Sequence, residues 1–597
     1  MSTEIEDLLP SLPFKRFDNV LKWYNNNKSR FIIKGKKGPY VDLHSMKNEF
    51  TKKAYRKIVG VTTSKKKLIK VFKHYISIKK DFDRNVIYLL RKKDESGVLA
   101  FAVFTSSNPT DPTTGVTQAF SCKHDCYYCP NEPGQPRSYI HDEPGVLRAN
   151  RNDFDPIRQM NDRISSYVEW GQTGLKLEIK ILGGTFTEYP VMYLETFIRN
   201  IVYAANTFFH TTKRSAFTIE EEIILNATAD IRIVGLSCET RPDTLIAEDG
   251  DDWIRRFRKW GITRIQMGVQ HTSNKILKKI NRGHTVQASI KALQKLKNAG
   301  FKVDIHLMPD LPNANSKIDI KMLETVYNTE YLQSDGLKIY PTAVTPWTTI
   351  KKWHDSGKYK PYAQSDPVGF LKMMTYSMLG AKPWMRLDRV IRDIPGPHIQ
   401  GGNQVTNLRQ ILNQRIIKSG QQIMEIRYRE CGRRHNNMYK IEDGEYLIRK
   451  YKASGGIEYF ISLESKDKKC IFGFLRLRIS KNDVFDVLHR MGKVRELHVY
   501  GNVTKVGVHN NNVQHSGVGK TLLKMAEDIS YSNNCVGVAV ISGMGVTKYY
   551  QKQGYFMNNT FMIKRFIFTK QRVIIAFLII AILILSILSI LNQNIQV

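Results

Sequence analysis

The stretch Ser121–Pro130, SCKHDCYYCP, decides how the rest of the chain is read. Cys122, Cys126 and Cys129 follow the spacing C-x3-C-x2-C. Three thiolates on one short loop suit three irons of a [4Fe–4S] cluster, because soft sulfur donors match iron–sulfur chemistry. The fourth iron is then open to a small molecule that binds through an amine and a carboxylate. Structural zinc is the competing reading, but it usually takes four ligands, and no second Cys pair lies at a usual spacing. Cys238, Cys431, Cys470 and Cys535 are scattered, as small buried residues are.

Around this loop, residues 100–400 alternate short apolar runs with longer amphipathic stretches. Leu177–Leu182, Ile231–Leu236, Ile262–Val269, Val303–Leu307 and Gly336–Ile339 read as strands, and Val286–Ala299 as one of the helices between them. The alternation predicts a parallel α/β sheet or barrel. The first of these runs ends in Gly183-Gly184-Thr185-Phe186. Two glycines at a strand end let the backbone approach a ligand closely, although a plain tight turn needs no more than this. Ile231–Leu236 leads into Glu239-Thr240-Arg241-Pro242-Asp243. Charges at the strand C-termini of a barrel face its active site, so Glu239 and Arg241 are candidate ligand contacts, with a surface ion pair as the alternative.

The cluster motif, with Tyr128 just before its last Cys, resembles that of the radical S-adenosylmethionine enzymes. The resemblance implies a partial (β/α) barrel, with Gly183 and Gly184 on the methionine amino group and Glu239 and Arg241 on the rest of S-adenosylmethionine.

A second motif lies near the C-terminus. Val494–Gly501 reads VRELHVYG and Gln514–Lys520 reads QHSGVGK. The latter resembles the Q/R-x-x-G-x-G/A loop of GCN5-related N-acetyltransferases, in which N–H groups at a helix start hold the pyrophosphate of coenzyme A. Unpaired donors and the positive end of the helix dipole favour an anion there. Gly517 and Gly519 permit close approach, and Lys520 adds charge. The helix-like Thr521–Ile529, the strand-like Val536–Ser542 and the helix-like Val546–Gln553 follow in the order such a domain needs. Tyr549 and Tyr550 fall where these enzymes place a tyrosine near the thioester, and one of the two is expected to pack its ring in the core.

The two ends of the chain are unlike its middle. The 597 residues include 91 Lys and Arg against 55 Asp and Glu, a net charge of +36. So large an excess predicts a polyanionic partner: nucleic acid, an anionic membrane, or both. With 42% hydrophobic residues, wholesale disorder is excluded. Seven Cys in this length exclude a secreted disulfide framework. Residues 51–93 hold 15 Lys and Arg against Asp81 and Asp83 alone, a net +13. Lys52, Lys53, Arg56, Lys57, Lys65, Lys66, Lys67, Lys70 and Lys73 are the candidate phosphate contacts. Val71, His74, Tyr75 and Ile78 recur at helical spacing and predict the apolar side of a basic helix. At the other end, Val573–Leu591 is a run of 19 uncharged residues. As a helix it would extend about 28 Å, which predicts a transmembrane tail anchor with the catalytic bulk in the cytosol.

The pairing of the two motifs comes with the strings NRGHT (Asn281–Thr285), MPDLPN (Met308–Asn313), DGLKIYPT (Asp335–Thr342), RDIPGP (Arg392–Pro397) and ISGMGVTKYY (Ile541–Tyr550). Together they resemble the family of Elongator catalytic subunits, transfer RNA uridine-34 modification enzymes. The resemblance implies five regions: a basic tRNA-binding region (1–98), a radical S-adenosylmethionine domain (99–400), a linker (401–425), an acetyltransferase-like α/β domain (426–568) and the tail anchor (573–591). It implies that a radical from S-adenosylmethionine takes hydrogen from the methyl group of acetyl-CoA. The acetyl radical then adds to C5 of the wobble uridine, and thioester hydrolysis leaves a carboxymethyl group. By motif matching, Lys176, Glu496, Leu497, His498, Val499, Gln514, Gly517, Val518, Gly519, Lys520 and Tyr550 contact acetyl-CoA, with Lys176, Tyr549 and Tyr550 as catalytic candidates. Transfer RNA is the implied partner, alongside Elongator-type accessory subunits or a homodimer. The tail would place the protein on the mitochondrial outer membrane or the endoplasmic reticulum. A protein lysine acetyltransferase of the histone or tubulin type is the alternative activity.

Overall fold

The computed structural model describes residues 12–35, 38–41, 46–47, 49–50, 58, 65–78, 81–83, 86, 89, 98–120, 122–169, 172, 175–431, 439–481, 484–500, 517–566, 581–582 and 584–586. Two of its strands form a short antiparallel hairpin, β1 (Ile32–Gly35) and β2 (Gly38–Val41). The apolar runs of the middle region form one seven-stranded sheet whose spatial order follows the chain: β3 (Leu99–Phe104), β4 (Lys176–Leu182), β5 (Arg232–Thr240), β6 (Arg264–Gln270), β7 (Lys302–Leu307), β8 (Gly336–Ile339) and β9 (Arg386–Arg389). Every neighbouring pair is parallel. Parallel neighbours in chain order require a crossover after each strand, which collects the strand C-termini at one rim, as in a partial barrel.

The alternation along β4 sorts the two faces. Leu177, Ile179 and Ile181 are buried in the main core with outer helices such as Val191–Thr207 and Val286–Asn298. Glu178, Lys180 and Leu182 line the concave side. The lumen is therefore polar, continuing in Asp304 and His306 of β7, Lys338 of β8 and Asp388 of β9. Thr285, the last residue of NRGHT, starts Val286–Asn298 by accepting a 3.2 Å hydrogen bond from the Ala288 N–H.

A second seven-stranded sheet comprises β10 (Gly444–Ala453), β11 (Gly456–Ser465), β12 (Ile471–Ile479), β13 (Met491–Val499), β14 (Gly537–Val540), β15 (Phe556–Asn558) and β16 (Phe561–Arg565), in the order β10-β11-β12-β13-β14-β16-β15. Only β13 and β14 pair in parallel. The helix Val518–Ser532 lies between them in sequence and buries Val518, Leu522, Leu523 and Ala526 against the sheet.

Three expectations change. Residues 401–425 are not a bare linker: they hold the helix Leu408–Lys418, which buries Leu408, Leu412 and Ile416 in the barrel core. The basic helix spans Lys65–Ser77, and its apolar side is Leu68, Ile69, Val71 and Tyr75, packed on Phe17, Val20 and Tyr24 of the helix Leu12–Asn27. Ile78 is exposed, one residue past the helix end.

The membrane placement expected from 573–591 is withdrawn. Among the described residues no helix is long and apolar enough to cross a membrane. Of that run only 581–582 and 584–586 are described, and the rest lies outside the described residues. An apolar run meets the length criterion, but crossing also needs one continuous helix that satisfies its own backbone. The mitochondrial or endoplasmic reticulum location and the membrane partner fall with it.

Candidate active site at the barrel mouth and its far end

The three cluster-loop cysteines sit at the C-terminal rim of the barrel among guanidinium groups. Cys126 Sγ accepts hydrogen bonds from Arg282 at 3.4 Å and Arg241 at 3.6 Å. Burial pushes the Cys126 thiol up, but Arg282 and Arg241 together outweigh burial and hold it below the ordinary thiol value. Burial, reinforced by the adjacent Cys126, pushes Cys129 up to about 11, with Arg137 opposing. Cys122 Sγ lies 3.3 Å from Oγ1 of Thr185, the residue after the Gly-Gly turn. Three soft donors that feel one another's charge, ringed by cations, fit an anionic iron–sulfur cluster.

The Gly-Gly turn beside them has no room for side chains. Gly183 has φ +145°, and a Cβ there would lie 1.9 Å from Thr105 Oγ1. Its carbonyl is held by the Tyr189 hydroxyl at 2.7 Å. Arg241 is almost fully buried, with its Nε 3.0 Å from Asp243, so it is not a surface ion pair.

Glu239 turns into the lumen. It accepts from the Tyr139 hydroxyl at 2.8 Å and from Lys338 Nζ at 3.2 Å. Burial raises Glu239, but the Lys338 cation, with the hydrogen bonds from the Tyr139 hydroxyl and Lys338, outweighs it and keeps the carboxyl below its usual value. Burial and the Lys338 cation drive His306 down to about 3, so its ring is neutral at physiological pH. His306 Nε2 has no hydrogen-bond partner among the described residues. These groups line a cavity of about 430 Å³ at the barrel mouth, together with Tyr128 and Arg392.

A second cavity, of about 280 Å³, opens at the other end of the lumen against the second sheet. Its lining joins Lys180, Arg264 and Asp388 of the barrel to Arg476, Glu496 and His498 of β12 and β13. Ala100, Lys180 and Arg389 line both cavities. The Glu496 side chain is held by Arg476 at 2.9 Å and by Arg264 at 3.4 Å. Leu497, His498 and Val499 follow on β13. Lys176 opens β4, in register with Arg232, whose Cβ would lie 2.7 Å from a Cβ added at Gly545 of the second domain.

At the start of the helix Val518–Ser532, Gly517 is the cap residue in the left-handed region, with φ +85°. A Cβ at Gly519 would lie 2.7 Å from the Tyr549 hydroxyl oxygen. That oxygen is shielded from solvent and without a hydrogen-bond partner among the described residues. A helix start with glycines at 517 and 519 and an orphaned buried hydroxyl beside it fit a ligand with polar oxygens. Tyr550 packs its ring in the core beside Tyr555, so Tyr549 is the tyrosine turned to this helix start. Val518 is buried and Lys520 lies in the first turn of the helix, whereas Gln514 lies outside the described residues.

Lys65, Lys66, Lys67, Lys70 and Lys73 share the helix Lys65–Ser77, while Lys52, Lys53, Arg56 and Lys57 lie outside the described residues. Sequence reasoning missed Arg137, Tyr139, Arg282, His306 and Lys338. Arg282 and Lys338 lie inside NRGHT and DGLKIYPT, and a lone Lys in the otherwise apolar four-residue strand β8 was a usable signal.

This partial barrel with three cysteines at its rim is the architecture of a radical S-adenosylmethionine enzyme. Residues 119–318 match the radical SAM superfamily model, and residues 334–418 match the radical SAM C-terminal domain. The chain is 35% identical over 455 residues to Elongator complex protein 3 of Schizosaccharomyces pombe, covering 74% of this chain and 80% of that protein. It is 34% identical over 489 residues to the tRNA uridine(34) acetyltransferase of Methanocaldococcus jannaschii, covering 79% of this chain and 85% of that protein. The solved structure of archaeal Methanocaldococcus infernus Elp3 with an N-terminal deletion superposes with a TM-score of 0.66 at 31% identity, covering 79% of this chain and all of that one. The chain belongs to the family of Elongator complex protein 3 and the tRNA uridine(34) acetyltransferases.

Proposed function

We propose that the chain modifies transfer RNA at wobble uridine-34, building a carboxymethyl group on C5 from acetyl-CoA with the help of S-adenosylmethionine. The observation that carries this reading is the shared lumen: the cysteine loop, through Tyr128 and Pro130, and the β13 end, through Glu496 and His498, line cavities with common walls. A [4Fe–4S] cluster on Cys122, Cys126 and Cys129 would supply the electron that turns S-adenosylmethionine into a hydrogen-abstracting radical.

The chain's own residues do the rest. Gly183 and Gly184 offer bare backbone beside Thr185 to a ligand amine. Lys338, fixed between Glu239 and Gln266, and neutral His306 present polar groups for the edge of a flipped base. Tyr128 and Tyr139 screen the mouth from water. At the far end, the N–H groups of Val518–Lys520 receive the coenzyme A pyrophosphate, and Tyr549 offers its hydroxyl near the thioester. The helix Lys65–Ser77 supplies Lys65, Lys66, Lys67, Lys70 and Lys73 for transfer RNA phosphates.

Mass analysis of transfer RNA incubated with reconstituted enzyme, S-adenosylmethionine, acetyl-CoA and reductant tests this reading. C5-carboxymethyluridine at position 34 is expected. Acetylation of a lysine peptide without reductant, and no modified uridine, would overturn it in favour of a protein acetyltransferase.

A further inference from the structure

One group of metal-type donors lies apart from the cluster loop. His141, Asp142 and His398 each bring one ligand atom within 4.8 Å of the other two. They come from two segments, far apart in sequence, that pack together on one wall of the barrel mouth. His141 and Asp142 lie between Ile140 and Glu143, which line the mouth cavity, and His398 closes the turn Gly396–His398 that follows Ile394 on the same wall. Pro395 precedes that turn and Pro397 lies within it, so its backbone is pre-set.

We infer that His141, Asp142 and His398 form a zinc-type divalent metal site that ties these two segments of the barrel mouth together. Two imidazoles and a carboxylate are a three-ligand set that leaves a fourth tetrahedral position for water. The surroundings resemble a built site. Glu132 receives His141 Nδ1 at 2.7 Å and accepts the His141 backbone N–H at 2.8 Å, and a carboxylate partner of this kind orients ligating histidines. His398 Nε2 lies 2.8 Å from Asp142 Oδ2. Asp142 Oδ1 is shielded from solvent with no hydrogen-bond partner among the described residues. A surface His–Asp pair accounts for Oδ2 but leaves Oδ1 unexplained; a cation engages it. Imidazole and carboxylate donors without sulfur select zinc, cobalt or nickel over iron–sulfur chemistry, so this site is chemically distinct from the cysteine loop. Arg392 already joins the same two segments through Glu143 at 2.7 Å, and the metal would be a second clasp beside it.

The test is Co2+ and Zn2+ titration of the full chain, prepared without iron and carrying serine at Cys122, Cys126 and Cys129. One equivalent of Co2+ is expected to give the visible bands of tetrahedral cobalt without thiolate charge transfer, and Zn2+ is expected to displace it. His398→Ala should abolish the bands. His398→Asn, which can still hydrogen-bond Asp142 and so spare the fold, should abolish them too. Glu132→Gln should weaken Zn2+ binding about tenfold. Absence of tetrahedral cobalt bands, or equal zinc content in wild type and both His398 variants, would overturn the assignment, whatever the outcome of the transfer RNA assay.

Discussion

Arg495 of β13 grips Asp335, the residue before β8, with hydrogen bonds of 2.6 and 2.7 Å across a separation of 160 residues. Both side chains are buried, and Arg495 also donates to Glu458 of β11 at 2.7 Å. Burial acts to raise Asp335, but Arg495 and Lys297 outweigh it and hold the carboxyl well below its usual range. Removing one partner of a buried pair strands the other, at a cost of about 3–5 kcal/mol. Asp335→Asn should therefore lower unfolding stability by that amount in guanidinium titrations. An effect of under about 1 kcal/mol would show that the pair is dispensable.

Lys297 sits in the same network, 3.3 Å from Glu458 and donating to the Gln333 carbonyl at 2.8 Å. Burial lowers it from 10.5 to about 8. Its folded value lies below its unfolded one, so between those two pH values the unfolded chain binds the extra proton. Its contribution to stability therefore rises with pH over that window. The melting temperature of wild type relative to Lys297→Met should rise from pH 8 to pH 10; a flat difference would refute the assignment.

Cys126→Ser should abolish cluster absorbance after reconstitution and, with it, uridine modification. An active, cluster-free variant would remove the radical step from the mechanism.

Lys338→Met keeps the length of the side chain but removes the cation between Glu239 and Gln266. Loss of a positioned polar group at a reacting centre typically costs 10²–10⁴-fold in rate. We expect about 10²-fold less carboxymethyluridine, with cleavage of S-adenosylmethionine continuing uncoupled. Equal loss of both would place Lys338 in cluster support instead.

Gly519→Ala should raise the KM for acetyl-CoA about tenfold, as overpacking by one methyl costs about 1–3 kcal/mol. The added methyl would lie 2.7 Å from the Tyr549 oxygen. Tyr549→Phe removes that oxygen, so the double variant should recover part of the KM defect; an unrelieved double variant would locate the strain elsewhere.

Legibility in the sequence tracked local pattern. Gly336–Ile339 matches β8 residue for residue, because an apolar strand in a parallel sheet carries its own signature. Arg386–Arg389 shows no such signature, since β9 reads RLDR and turns charge into the lumen. The cysteine spacing and the glycines at 517 and 519 were legible because their chemistry is local. Arg137 and Arg282 at the cysteines, and Arg495 on Asp335, were not, because no periodicity relates side chains that only the fold brings together. Tyr549 and Tyr550 were adjacent candidates, and only packing distinguishes the one at the helix start from the one in the core.

The ionic seam between the sheets has a consequence for how such a protein can be taken apart. A cut between β9 and β10 would part Asp335, left with Lys297, from Arg495, left with Glu458, and open the buried network that joins the two sheets. The barrel and the second sheet share one core, so under the proposed function chemistry would pass between the two sites through the lumen rather than across a hinge.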